Sequence, residues 1–267
     1  MALITTENLR KVFPVRKRLF GGQEYVTAVD DVSFKIHRRE VFGLVGESGS
    51  GKTTCGRLLL RLLEPTSGSI YYDGVDITKL TGRELLSFRR RVQMIFQNPY
   101  ESLNPRFTVY DSVAEPLIIQ RIADGEERRR RVIEALERVR LTPAESLLRR
   151  YPHELSGGQR QRVAIARALV TEPDFVVADE PVSMLDVSIR AGILNLMLDL
   201  RDDLDLTMLF ITHDLAVARY MCDRIAVMHK GRIVELGSKE DVIENPQHPY
   251  TRALLSSVPR LHSLSKT

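Results

Sequence analysis

The stretch that decides the fold occupies residues 46–53 and reads Gly46-Glu47-Ser48-Gly49-Ser50-Gly51-Lys52-Thr53. It follows the apolar run Val41–Val45, which predicts a fully buried strand, and leucines recur at helical spacing over residues 52–63. Glycines let the backbone curl so that its N–H groups converge on one anion, and the start of a helix presents its positive end to the same anion. The stretch therefore predicts a phosphate cradle between a strand and a helix.

The same residues match the P-loop pattern G-x-x-x-x-G-K-[ST]. Lys52 would neutralise charge on the β- and γ-phosphates of ATP, and the Thr53 hydroxyl would hold Mg²⁺. A glycine-rich turn that binds nothing is the alternative, and the flanking strand and helix argue against it. We expect nucleotide contacts from Gly46, Ser48, Gly49, Ser50, Gly51, Lys52, Thr53 and Thr54.

Two carboxylates, Asp179 and Glu180, follow the apolar strand predicted at residues 175–178. In a P-loop protein the second acid that binds Mg²⁺ belongs at this place, so Asp179 is the predicted metal ligand. Glu180 is placed to accept a proton from the attacking water. His213 follows another buried strand, at residues 207–211, and strand ends line the ligand crevice of open α/β sheets. We therefore expect His213 to contact the γ-phosphate; a histidine that only begins a helix is the alternative.

The rest of the chain alternates strands and helices, which argues for a parallel sheet flanked by helices. Residues 99–150 are charged and helical and predict an insert outside the sheet, and residues 14–24 predict a basic loop or hairpin. The other predicted elements are a short strand at 3–7, an alternating antiparallel strand at 25–36, a hairpin at 69–76, strands at 92–96 and 224–228, and helices at 156–170, 187–201 and Leu215–Met221.

Composition fits a soluble globular protein, with 43% hydrophobic and 28% charged residues in 267. No stretch approaches the ~18 consecutive apolar residues that predict a membrane span, and the N-terminus has no secretory signal pattern. A net charge of +4, no Trp and 6% aromatic residues give little sign of a nucleic-acid platform. The basic runs at 16–18 and 128–131 are interpreted as solvated faces, and Cys55 and Cys222 as reduced structural residues.

A second glycine-rich helix start, Leu155-Ser156-Gly157-Gly158-Gln159, opens the helix predicted at residues 156–170. Physically it is another anion site at a helix N-terminus. An ordinary serine cap is the alternative, but the full sequence beside a P-loop resembles the LSGGQ signature of ABC ATPases. The resemblance covers roughly residues 2–240 and implies that Ser156, Gly157, Gly158 and Gln159 contact nucleotide.

Other positions are similar to further motifs of that family. Gln97 resembles the Q-loop glutamine, which senses Mg²⁺, acts in catalysis and faces a transmembrane partner. Asp186 resembles the D-loop aspartate, although Met184 and Val182 differ from the residues common in that loop. His213 resembles the switch histidine. The family stacks an aromatic ring on adenine near the N-terminus; Phe13 is our choice, and Tyr25 is the alternative.

Two segments resemble the oligopeptide and dipeptide importer branch: residues 96–106 (FQNPYESLNPR) and 245–255 (NPQHPYTRALL). The fold expected is an α/β P-loop NTPase of the ABC ATPase type, with a parallel-sheet core, an N-terminal antiparallel β subdomain and an α-helical insert. We expect an ATPase domain at 1–240, with the insert at about 99–165, and an importer-type tail at 241–267. Some relatives carry a cysteine cluster for iron–sulfur there; this tail has no Cys, so none is expected.

The resemblance implies that two such domains pair head to tail and sandwich ATP between the P-loop of one and the signature of the other. Expected partners are transmembrane permease subunits, a second ATPase subunit (a copy or a sister chain) and, indirectly, a substrate-binding protein, at the cytoplasmic face of the membrane. The cargo stays open among peptides, nickel and oligosaccharides. The rival classes are a soluble ABC ATPase acting on nucleic acid or ribosomes, and a non-hydrolysing regulator.

Overall fold

The computed structural model describes residues 1–14, 24–98 and 102–256 of the chain. Three predicted features lie partly outside the described residues: the basic loop at 14–24, except for its first and last residues, the centre of the phrase at 96–106, and the end of the tail, at 257–267. The described strands are β1 (Ala2–Pro14), β2 (Tyr25–His37), β3 (Val41–Val45), β4 (Ser67–Tyr72), β5 (Val75–Asp76), β6 (Val92–Ile95), β7 (Phe175–Asp179), β8 (Thr207–Thr212), β9 (Arg224–His229) and β10 (Arg232–Ser238). The described α-helices are α1 (Lys52–Leu59), α2 (Gly82–Arg91), α3 (Val109–Ile119), α4 (Gly125–Arg138), α5 (Gly157–Leu169), α6 (Val187–Leu204), α7 (Leu215–Met221), α8 (Lys239–Glu244) and α9 (Pro249–Ser256).

Ten described strands form two sheets. The first is antiparallel, in the order β2-β1-β4-β5. The second has the order β10-β9-β3-β8-β7-β6, in which β9, β3, β8, β7 and β6 run parallel and β10 pairs antiparallel with β9. The predicted combination of a parallel core and an N-terminal antiparallel subdomain is confirmed.

The parallel sheet is covered on both faces, which explains the continuous apolar runs of its strands. Alternate residues of β3 belong to two separate cores: Val41 and Val45 pack into one cluster, and Phe42 and Leu44 into the other. The second cluster also contains residues of the antiparallel sheet and of α1, such as Leu58. The first contains the helices of the insert together with α6. The sheet is therefore held rigidly between two layers, as a precise strand-end site requires.

The predicted helical insert is present as α3 and α4, which pack against each other and against α5. α5 also contacts β6, so the helix that carries the signature joins the insert to the sheet. Among the described residues, no helix has both the length and the apolar composition needed to cross a lipid bilayer.

Two predicted boundaries were wrong. The strand predicted at 3–7 continues to Pro14, because β2 supplies a partner along its length and a bulge at Asn8, which has a positive φ, accommodates the polar residues. The helix predicted over 52–63 ends at Leu59, because Arg61 adopts a left-handed conformation and the Leu62 N–H returns to the Arg57 carbonyl. We did not predict α2, β10 or α8 from the sequence.

Candidate active site

Four parallel strands, β3, β6, β7 and β8, deliver the predicted site residues to one edge of the sheet. Because parallel strands share the direction of their carboxyl ends, the residues that follow them meet at a single crevice. That crevice is a cavity of about 650 Å³. The described residues that line it are Ala28, Glu47, Ser48, Gly49, Gly51, Lys52, Thr53, Thr54, Gln97, Glu180, His213 and Leu254.

The P-loop is fixed by close packing of its backbone against neighbouring strands. Gly51 has a φ of +106°, and a Cβ there would lie 2.1 Å from the carbonyl oxygen of Ala28. A Cβ at Gly46 would lie 2.2 Å from the carbonyl oxygen of Met228. The first turn of α1 has no acidic residue, and its N-cap residue, Gly51, has no side chain that could accept a hydrogen bond from the N–H groups of that turn. Its N–H groups and positive helix end are thus offered to an anion in the cavity.

Lys52 curls back over the loop that precedes it. Its ammonium nitrogen donates to the carbonyl oxygens of Gly46, at 2.6 Å, and Glu47, at 2.8 Å. Burial lowers the pKa of Lys52, and the carboxylates of Glu180 and Asp179 oppose part of that shift. The two carbonyl oxygens carry no full charge, so an anionic ligand in the cavity would give the buried ammonium a charge-assisted hydrogen-bond partner.

Asp179 ends β7 inside the protein and faces α1. Its Oδ1 accepts a hydrogen bond of 3.0 Å from the Thr53 hydroxyl. Burial raises the pKa of Asp179, although the bond from Thr53 works in the other direction. A hydroxyl and a carboxylate are the hard oxygen donors that Mg²⁺ prefers, and Mg²⁺ is usually held by one or two such groups together with phosphates and water. In the described parts of the chain, no cluster of three or more His, Cys, Asp or Glu side chains could hold a metal by itself. The pair fits a nucleotide-bound Mg²⁺.

Glu180 is held between residues that follow two other strands. Its Oε2 accepts a hydrogen bond of 3.1 Å from Gln97 Nε2 and lies 3.1 Å from His213 Nδ1. Its backbone has a φ of +47°, unusual for a residue with a side chain, and its N–H donates to the Ile211 carbonyl at 2.9 Å. Two predicted residues, Gln97 and His213, thus converge on one carboxylate oxygen of the third, Glu180, at the edge of the cavity.

The signature residues lie elsewhere in the same chain. Ser156 is exposed and caps α5 through a reciprocal capping box with Gln159. A Cβ at Gly158 would lie 2.8 Å from Ile189 Cγ2, so this helix start packs closely on α6. Asp186, the N-cap residue of α6, is also exposed. None of Ser156, Gly157, Gly158, Gln159 and Asp186 is among the described residues that line the cavity.

Neither aromatic candidate for adenine stacking is among the described lining residues either. Phe13 pairs with Val26 across the antiparallel sheet, and the Lys11 ammonium lies 5.1 Å from the centre of its ring. Tyr25, opposite Pro14 in the same sheet, is 63% exposed. The cavity does not select between them.

Sequence reasoning missed some residues of the site. Ala28, Glu47 and Leu254 line the cavity without having been assigned a role. Tyr250 contacts one of these residues, because its hydroxyl accepts a hydrogen bond from the Glu47 N–H at 3.2 Å. The quoted tail phrase contained both Tyr250 and Leu254, but nothing in its pattern indicated a partner so far away in the chain.

The basic run at 128–131 proves to be largely paired within its own helix. Arg130 bonds to Glu127 and Glu134, and Arg131 bonds to Glu127. Arg128 donates to the Ala123 carbonyl. This supports the interpretation of the run as a solvated helix face.

Comparison with known proteins agrees with this geometry. Residues 29–183 match the family model described as ABC transporter, and residues 234–267 match the model described as oligopeptide/dipeptide transporter, C-terminal region. The solved dimeric structure of the ATP-binding cassette MJ0796, bound to ADP and Pi in a post-hydrolysis state, is 33% identical with a TM-score of 0.77, covering 88% of this chain and 98% of that one. The chain belongs to the ABC transporter family, as one of its ATPases.

Within that family, the chain resembles ATP-binding subunits of peptide import systems. A Brucella ovis protein with a provisional name as a peptide import ATP-binding protein is 59% identical over 231 residues, 86% of this chain and 72% of the relative. The dipeptide transport ATP-binding protein DppF of Haemophilus influenzae is 49% identical over 259 residues, 97% of this chain and 79% of the relative.

Proposed function

We propose that this chain binds and hydrolyses ATP to power the import of dipeptides or oligopeptides through an ABC transporter. The observation that carries the hydrolytic part is the Glu180 carboxylate, held 3.1 Å from both Gln97 Nε2 and His213 Nδ1 at the edge of the P-loop cavity. The match of residues 234–267 and the names of the relatives support peptides as the cargo, and they give no support to the alternative that acts on nucleic acid or ribosomes.

The phosphates of ATP are bound by the N–H groups of the loop and by the Lys52 ammonium. Thr53 and Asp179 would hold Mg²⁺, with Gln97 at the same edge of the cavity. When bound, Mg²⁺ would neutralise charge that develops on the phosphates. Thr54 completes the wall of the cradle at the start of α1.

Glu180 accepts a proton from the attacking water, and the adjacent Gln97 and His213 fix the direction of its carboxylate. A general base is effective when its acceptor oxygen is held in one orientation close to the nucleophile. His213 is more exposed than Glu180, so it can also reach a γ-phosphate that enters the cavity.

ATP hydrolysis requires a second ATPase subunit in this proposal. Ser156–Gln159 and Asp186 lie outside the cavity that contains Lys52, so they are free to contact the nucleotide of a partner. A head-to-tail pair would place the signature of each chain over the P-loop cavity of the other. The dimeric state of the MJ0796 cassette supports this arrangement.

A second cleft, of about 220 Å³, is suited to a permease segment. It lies between β6, α3 and α5, and Phe96, directly before Gln97, lines it. Leu62, an exposed apolar side chain, lines the cleft, and two further exposed apolar side chains, Ile118 and Ile119, belong to α3. An apolar segment of the membrane partner that fills this cleft would contact the residue beside Gln97 and so influence the Glu180 carboxylate. The chain would then work at the cytoplasmic face of the membrane.

The test is Mg²⁺-dependent phosphate release by the purified chain, alone and together with its permease, sister ATPase and substrate-binding protein. We expect hydrolysis to rise in the assembled transporter when the binding protein carries peptide. Nickel or oligosaccharide as the stimulating cargo would contradict the peptide assignment. Robust hydrolysis that no membrane partner changes would contradict the role in transport.

A further inference from the structure

The tripeptide His248-Pro249-Tyr250 forms a compact helix start. The Tyr250 N–H donates to His248 Nδ1 at 3.2 Å, so the histidine side chain caps α9. Pro249 occupies the first helical position, where its missing N–H leaves no donor unsatisfied and its fixed φ suits the helix. The cap and the proline together set the direction in which the Tyr250 side chain leaves the helix.

This helix start is anchored to β10 by one carboxylate. Glu235 accepts the N–H of Gln247 at 2.7 Å and that of His248 at 3.0 Å. Burial alone would raise the pKa of Glu235, but these backbone donors hold it below its ordinary value. A carboxylate bonded to two successive N–H groups is a strong, charge-assisted anchor. The tail is therefore fixed to the sheet directly before α9.

From this anchor, Tyr250 reaches the P-loop. Its ring packs at a tilt against His229, at the end of β9, with 3.9 Å between the ring centres and 34° between the ring planes. Its hydroxyl accepts the Glu47 N–H at 3.2 Å. The carbonyl of the same Glu47 accepts a hydrogen bond from Lys52 Nζ at 2.8 Å. Tyr250 thus holds in place the residue whose carbonyl orients the Lys52 ammonium.

The turn between β9 and β10 makes a further contact with the P-loop, at Ser50. The Gly231 N–H, in the turn between β9 and β10, donates to the Ser50 carbonyl at 2.9 Å. Leu254, one turn along α9 from Tyr250, forms part of the cavity wall. The chain beyond β9 therefore bonds to the P-loop at Ser50 and at Glu47, and Leu254 adds to the wall of the same cavity.

We propose that Tyr250 is a positioning residue for the P-loop, and that the C-terminal segment 235–254 serves as a support of the nucleotide site. This inference rests on the proposed function in one respect, that the Lys52 cavity binds ATP. Tyr250 acts on the phosphate end of the ligand through Glu47 and Lys52, and does not itself touch the reacting atoms.

The test compares the purified full-length chain with its Tyr250→Phe variant, which keeps the ring and removes the acceptor oxygen. Binding of ATP and of inorganic tripolyphosphate is measured by titration calorimetry, and the melting temperature of each protein is recorded. We expect both dissociation constants to rise about three- to tenfold, the usual cost of one lost hydrogen bond, with little change in melting temperature. The matched control is Tyr220→Phe, which removes an exposed hydroxyl that bonds to Asn195, away from the described cavity lining.

Unchanged binding of both ligands by Tyr250→Phe would overturn the inference. Weaker binding of ATP with unchanged binding of tripolyphosphate would also overturn it, because the effect would then lie on the nucleoside end. Lys52→Ala distinguishes a failure of the proposed nucleotide site from a failure of the proposed role of Tyr250. If Lys52→Ala binds ATP normally, the proposed nucleotide site has failed; if it loses ATP while Tyr250→Phe does not, only the role of Tyr250 has failed.

Discussion

The hydroxyl of Thr53 donates to Asp179 Oδ1 at 3.0 Å, and so joins the first turn of α1 to the end of β7, 126 residues further along the chain. This hydrogen bond connects the predicted phosphate cradle to β7, which ends at Asp179 and is followed by Glu180. Asp179 is buried, and burial raises its pKa. Ionised Asp179, the proposed Mg²⁺ ligand, therefore lowers the free energy of unfolding of the chain when no nucleotide or metal is bound.

Asp179→Asn should stabilise the ligand-free chain and inactivate it. A raised pKa means that the folded chain binds this proton more tightly than the unfolded chain does. The ionised carboxylate therefore lowers the free energy of unfolding at neutral pH. This penalty decreases as the pH falls below the folded-state pKa, and it is gone below the lower pKa of the unfolded chain. Asn removes the charge and keeps an oxygen that can accept from Thr53. We expect a higher melting temperature at pH 7, a smaller difference at acidic pH, and loss of Mg²⁺-dependent hydrolysis.

Asp202→Asn is the matched control for that measurement. The bond from Arg201 holds the pKa of Asp202 below its ordinary value, and the side chain is exposed. Its ionised form favours folding, so the control should leave the melting temperature unchanged or slightly lower. A fall in melting temperature for Asp179→Asn at pH 7 would contradict the prediction that the ionised Asp179 carboxylate destabilises the ligand-free chain.

Glu180→Gln should abolish turnover and leave ATP binding. The amide is nearly isosteric with the carboxylate but cannot accept the proton of the attacking water, and loss of a general base typically lowers the rate ~10²–10⁴-fold. Phosphate release and ATP binding are measured on the same preparation. Glu64→Gln, at a highly exposed glutamate, controls for the substitution itself. Near-normal hydrolysis by Glu180→Gln would remove Glu180 from its assigned role.

Lys52→Ala should weaken ATP binding itself. The ammonium is buried beside the loop and would form charge-assisted bonds to phosphate oxygens, whose loss corresponds to roughly 10- to 100-fold in dissociation constant. Lys79→Ala is a suitable control, because that lysine is exposed and pairs with Asp76. An unchanged dissociation constant for ATP in Lys52→Ala would refute the phosphate role.

Phe96→Asp should weaken assembly with the permease. The charge would enter a cleft that we propose is filled by an apolar segment, and loss of a central interface contact typically costs about tenfold or more in affinity. Co-purification with the permease, with the melting temperature as a check on folding, measures this effect. Val75→Asp introduces the same charge at an exposed apolar residue outside the described cleft lining. Equal co-purification of the two variants would argue against the cleft as the docking surface.

The sequence alone was sufficient for those parts of the site that depend on local patterns. The P-loop is a continuous segment, so the strand before it, its glycines and Lys52 could all be recognised together. His213 was predicted from a geometric rule, because parallel strands bring their carboxyl ends to one edge, and Glu180 from its place directly after Asp179 in a chain with a P-loop. The rule indicates proximity, and only the structure gives the separation of 3.1 Å between Glu180 Oε2 and His213 Nδ1.

Other features depend on contacts that no local pattern encodes. Tyr250 reaches Glu47 across 203 residues of sequence, through an anchor on Glu235 that appears in the sequence as one more surface acid. α2, with Arg at its last three positions, has a single buried residue, Phe88, and so gave too weak a periodic signal to be predicted. The length of β1 was decided by its partner strand β2, since the alternation of β1 itself is interrupted at Glu7 and Asn8 and at Arg10 and Lys11.

Because Ser156 lies outside the Lys52 cavity of its own chain, a genetic experiment with two variant alleles can test which chains form the working pair. Suppose the working pair consists of two copies of this chain. One copy with Lys52→Ala and one with a damaged signature then combine into a pair with a single intact sandwich, so two inactive alleles should complement each other when expressed together. If the partner is a sister subunit, either damaged chain alone already forms a pair with one intact sandwich, so adding the second allele changes nothing. Growth on peptide that requires both alleles together, and that neither allele supports alone, would therefore identify a pair of two copies.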